Sequence, residues 1–203
     1  MMQFVSVDAF GERAEYIRNG LNFNYMMDNV NEFLERIPVR NSVSFIITYN
    51  NLSVTSLHKL LEAILQLRKE HSKTYQRVWF DIPLLRQPPW QQITLLPNSY
   101  QEIHKNNIEW MRRFVKEDKG YAIFKDFEIQ KMLRNLAYWR THKYTKDVRR
   151  REKLRLGEIA VDNAMKDKKN FYTFFTEHDR RRGTNFLNTF PEMEEFWQEC
   201  KNA

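Results

Sequence analysis

Cysteine is all but missing from this chain, with Cys200 the single one among 203 residues. One thiol excludes a disulfide framework and any centre built from several thiolates, and it fits a reducing compartment, so the expected location is the cytoplasm. No apolar run approaches the roughly 18 residues that a membrane span needs. The first residues, MMQFVSVDAF, lack a basic stretch followed by an apolar core, so neither membrane nor export is indicated. Short-spaced zinc ligands are lacking too: His58, His71, His104, His142 and His178 are scattered, and no metal site is expected. Low-complexity segments and internal repeats are not found.

What is present suffices for a packed core. Hydrophobic residues make up 42% of the chain and aromatic ones 14%, which excludes a disordered tail and suits one domain with an appendage. The formal charge of +7 favours polyanions through a long-range field that carries no sequence specificity. Much of that excess lies in Lys143 to Arg155 and in Arg180, Arg181 and Arg182, with acids interspersed. Such runs read as solvated helix faces. No helix-turn-helix, RNA-binding-strand or zinc-finger signature accompanies them, so nucleic acid is not an expected partner.

Hydrophobic spacing predicts an α/β chain. Gln3 to Asp8 alternates and reads as a strand, and Glu12 to Ile17 as a short helix. A second helix from Phe23 to Ile37 carries Met26, Met27, Val30, Phe33 and Leu34 at three- and four-residue spacings until Pro38 stops it. Ser42 to Asn50 suits a strand buried on both faces, with Ser53 or Thr55 capping the next helix, whose stripe is Leu57, Leu60, Leu61, Ile64 and Leu65. A third strand, RVWFDIP, ends at Pro83. Helical connections of this length imply parallel pairing. After a proline-rich loop the chain reads as helical from Ser99 onward, with a boundary near Asp118 to Gly120 that separates 1–118 from 119–203. The tryptophans fall mostly on apolar stripes and read as core, except Trp90, which lies in the long loop near the strand ends.

Ser6 to Arg18, SVDAFGERAEYIR, groups two oxygen acceptors and a guanidinium around one strand end. Taken alone, Ser6 and Asp8 could cap the following helix while Arg18 pairs at the surface. The segment resembles the fourth strand and following helix of radical S-adenosylmethionine enzymes of the twitch or SPASM type. VSFIITYNNLSV, with Thr48 and Asn50, is similar to the fifth strand of that family, and FDIPLLRQPPW to the sixth; RRGTNFLNTFPEMEEFW resembles the closing segment of twitch-bearing members.

The resemblance implies a partial, half TIM-like barrel of about three parallel strands with helices over 1–118, strands four to six of the family, followed by an α-helical C-terminal extension over 119–203. It implies that Ser6, Asp8, Arg18 and Asn50 hold S-adenosylmethionine and that Leu85 covers the adenine, with Leu84 the nearest alternative. In the intact family a CxxxCxxC motif holds a four-iron four-sulfur cluster that drives reductive cleavage and hydrogen abstraction. That motif is missing here, so the implied chain binds S-adenosylmethionine, holds no cluster and is inactive alone. Its implied partners are the missing N-terminal half or its own oligomer, and an unknown small-molecule or peptide substrate. The alternative from another class is a non-enzymatic basic helical module that binds nucleic acid or a protein partner.

Overall fold

The structure is a computed structural model that describes residues 1–36, 41–116, 123–142 and 155–203, without the side chains of Val115, Lys116 and 155–162. Pro38, the boundary at Asp118 to Gly120, and the basic run Lys143 to Arg155 apart from the main chain of Arg155 lie outside those residues. Three strands, β1 (Met2–Ser6), β2 (Ser42–Ile46) and β3 (Val78–Asp81), form one parallel sheet in the order β1, β2, β3. Between β1 and β2 run α1 (Glu12–Ile17) and α2 (Phe23–Arg36), and between β2 and β3 runs α3 (Leu57–His71). After β3 come two 3-10 turns, Pro89–Gln91 and Ile93–Leu95, then α4 (Ser99–Lys116), α5 (Asp126–Thr141) and α6 (Arg155–Arg182). α7 (Phe186–Thr189), a turn at Pro191–Met193 and α8 (Glu194–Lys201) end the chain. The fold is α/β with most residues in helices, as the spacing of apolar residues implies.

Register explains which face is covered. Val5, Phe45 and Phe80 align across the sheet, as do Gln3, Val43 and Val78. α2 lies on this face, lining a groove with Gln3, Val5 and Val43, and α3 lays Arg68 over the Phe80 ring. The other face carries Met2, Phe4, Ser44 and Trp79, and there Phe4 is 62% exposed. Parallel sheets are ordinarily covered on both faces. One contiguous core nevertheless runs from Val7 in the first turn after β1 to Cys200 in α8, joining the sheet to the later helices.

Two local expectations are corrected. Neither Ser53 nor Thr55 caps α3: Ser56 stands at its N-cap and makes no side-chain cap bond. The reason is competition within NNLSVTS. Asn50 Oδ1 accepts the N–H groups of Leu52 and Ser53, Ser53 Oγ accepts Asn50 N–H, and Thr55 Oγ1 is taken by Arg13 Nη1. The strands are also shorter than alternation implies. β2 ends at Ile46, after which Ile47 N bonds Asp81 O and Tyr49 forms an isolated parallel bridge with Leu84.

Candidate functional site

Because all three strands run the same way, the segments after Ser6, Ile46 and Asp81 emerge at one end of the sheet. Asp8 is buried there. Its Oδ2 accepts Arg18 Nε at 2.8 Å, and its Oδ1 accepts Arg18 Nη2 at 3.1 Å and Thr48 N at 3.2 Å. One carboxylate thus holds the end of β1, the turn after β2 and the residue that closes α1. Asp8 does not cap α1; Gly11 does so, with a φ of 60° that suits a residue lacking Cβ. Arg18 lies at the C-cap, and its side chain is 36% exposed. Its Nη1 has no protein partner among the described residues, and the Ser6 hydroxyl is exposed without one.

The remaining sequence-predicted residues divide. Asn50 reaches the same end of the sheet, but its side chain is consumed by its own turn: Oδ1 by two backbone N–H groups and Nδ2 by Thr48 O. It can offer a ligand nothing from that amide without unmaking the turn. Leu84 packs against the core, whereas Leu85 is half-buried outside it, with its N–H on Tyr49 O at 2.9 Å. Leu85 is therefore the more available apolar side chain of the two. Cys200 is buried in α8, and burial pushes its thiol up to about 12, so it is neither accessible nor anionic near neutral pH. Among the described residues no group of three or more His, Cys, Asp and Glu side chains could hold a metal ion, and no helix is long and apolar enough to cross a membrane.

A second feature escaped sequence reading. α6 passes over the loop that follows β3 and leaves a cavity of about 560 Å³, walled by Trp90, Thr173, Phe174, Glu177, His178, Arg181 and Arg182 among others. Trp90 approaches Phe174 with ring centroids 6.2 Å apart and lends its carbonyl to Asn51 Nδ2. Arg182 donates to the carbonyls of Tyr16 and Glu15, and its Nη1 lies 2.7 Å from His178 Nε2. Trp90 Nε1 and His178 Nδ1 are buried without a hydrogen-bond partner. Each such group costs about 1–3 kcal/mol unless something answers it. Arg180 and Arg181 both pair with Glu177, which holds that carboxyl down at about 2, so the arginine cluster is not an array of free cations. Sequence could have flagged Phe174 and His178, four residues apart, but nothing in it brings Trp90 to them.

The tail anchors the site from the other side. Arg13 of α1 bonds Thr55 Oγ1, Thr189 O and Glu192 Oε2, and Tyr16 OH donates to Asp179 at 2.8 Å. Burial, then the Asp179 hydrogen bond, raises the Tyr16 pKa, so the phenol stays protonated. Phe171, Phe175, Phe186 and Phe190 pack among themselves, with Tyr16 beside Phe175, Phe186 and Phe190. Elsewhere, Tyr49 OH meets His104 Nδ1 at 2.7 Å, and His104 Nε2 donates to Met132 O at 2.9 Å. Those partners fix the imidazole as the Nε2–H tautomer, and burial lowers its pKa to about 4. No family model, no curated protein and no solved structure matches this chain.

Proposed function

We propose that this chain is the S-adenosylmethionine-holding C-terminal portion of a radical S-adenosylmethionine enzyme, shaped as about half of a TIM-like barrel with a helical extension. The observation that carries the reading is the junction at Asp8, where one buried carboxylate ties Arg18 to the turn after the second of three parallel strands. Ligands of parallel α/β folds bind at that end of the strands. The residues present fit the cofactor in part. Ser6 Oγ and Arg18 Nη1 are free to bond its polar groups, and Leu85 supplies apolar cover; Asn50 contributes through its main chain and by shaping the turn. Asp8 acts by orienting Arg18.

An iron–sulfur cluster does not fit this chain, whose one thiol is buried and protonated. A cluster would be supplied from outside these 203 residues, and beside it the bound cofactor would supply hydrogen-abstracting chemistry. What these residues do is bind and orient. Calorimetric titration of S-adenosylmethionine tests the reading. Weak binding, in the range of about 1 mM, is expected for the wild type and is lost in Arg18→Ala and Ser6→Ala. Equal heats from all three proteins would overturn it.

A further inference from the structure

The cavity beneath α6 has in its wall a guanidinium, that of Arg182, which no carboxylate among the described residues answers. Its volume of about 560 Å³ is that of a small-molecule site, and its walls are mostly apolar, led by the Trp90 and Phe174 rings. Arg182 lies half-buried in the wall, and its partners are two main-chain carbonyls and an imidazole, none of them negative. His178 Nε2 lies 2.7 Å from Arg182 Nη1 and 3.2 Å from Tyr16 O, between a donor and an acceptor. The Trp90 Nε1–H lacks a hydrogen-bond partner, and His178 Nδ1 faces Asp179 Oδ1 at 3.6 Å. Glu177, the one acid in the wall, is already neutralised by Arg180 and Arg181.

We propose that this cavity binds a small organic anion, a carboxylate or phosphate ester carrying a flat apolar body. The anionic group meets Arg182, and the flat body lies against Trp90 and Phe174. The site is separate from the cofactor reading, because none of Ser6, Asp8, Arg18, Asn50 or Leu85 lines it. It places an anion-bearing substrate on the loop that leaves the third strand.

Nuclear magnetic resonance of the full ¹⁵N-labelled chain tests this, with the indole N–H of Trp90, assigned by its loss in Trp90→Phe, as reporter. The probes are phenyl phosphate and benzoate, with benzyl alcohol as the uncharged control. At least one anion is expected to shift that signal saturably with a Kd of about 1 mM or tighter. The anion that saturates earlier tells phosphate from carboxylate. Benzyl alcohol is expected to bind at least tenfold more weakly, as are both anions to Arg182→Gln. Because Arg182 also holds two carbonyls of α1, Thr173→Trp serves as a second variant that fills the cavity and leaves every charge in place. No saturable shift with either anion, equal affinity for benzyl alcohol, or undiminished binding by Thr173→Trp would overturn the proposal.

Discussion

The two outer edges of the sheet are treated in opposite ways. Along β3, two outward-facing carbonyls find donors within the chain. Val78 O accepts Arg68 Nε and Gln76 Nε2, and Ile82 O accepts Asn135 Nδ2. Arg68 goes on to Ile123 O and to both oxygens of Glu128, in an ion pair with no solvent exposure on either side. Along β1 the register turns the main-chain groups of Met2, Phe4 and Ser6 away from β2, and Phe4 O receives only a 3.4 Å bond from Gln3 in the same strand. Met1, Met2, Phe4 and Tyr25 stand exposed around it, beside a groove of about 410 Å³ between β1 and α2. An edge of unpaired N–H and C=O groups flanked by apolar surface invites another strand. The chain thus covers much of the β3 edge by itself and leaves the β1 edge open.

The sharpest way to break this contrast is to unmake the sealed edge. Glu128→Ala strands the Arg68 charge in the core and is expected to cost about 3–5 kcal/mol, whereas Arg68→Met with Glu128→Leu recovers most of that loss. Urea midpoints of the three proteins decide it, and a midpoint unchanged in Glu128→Ala would mean that the pair does not seal β3.

Acid provides a second route. His104, bridging the turn after β2 to α5, titrates at about 4 when folded and near 6.5 when unfolded. Its folded pKa is the lower one, so its contribution is complete above pH 6.5 and is lost as the pH falls from about 6.5 to 4, by roughly 3 kcal/mol. Thermal melts between pH 7 and 4.5 should show that fall and its flattening in His104→Gln. A parallel decline in both would assign the acid sensitivity elsewhere.

At the open edge the effects are smaller. Asp8→Ala leaves the half-buried Thr48 N–H unanswered and is expected to cost about 1 kcal/mol, while Asp8→Asn, which keeps an acceptor for it, loses less. Denaturant titration separates the two. Phe4→Ser should alter monomer stability by no more than about 0.5 kcal/mol, because the ring is mostly in water. It should nevertheless reduce self-association seen by light scattering at high concentration. A wild-type chain that stays monomeric there would show that β1 needs no partner.

The local grouping at Ser6 to Arg18 was legible in the sequence, because Asp8 and Arg18 lie ten residues apart on either side of one short helix. The sealed edge was less so. Arg68 follows Ile64 and Leu65 by four and three residues, on the same stripe, yet by type it reads as one of the cations of a helix end. Only the fold brings it to Glu128, sixty residues on. Asn50 misled for a related reason: a residue placed correctly at the strand mouth spends its amide on the backbone beside it, which residue identity does not announce.

The Arg13 clamp sets an order of events in time. α1 is six residues long, too short to persist by itself, and it is held by Thr189 and Glu192, 176 and 179 residues further on. At about 5–20 residues per second, a ribosome needs roughly ten to thirty-five seconds to cover that span. The corner that carries Asp8 and Arg18 is therefore made well before the tail that clamps it and is finished only when that tail has emerged.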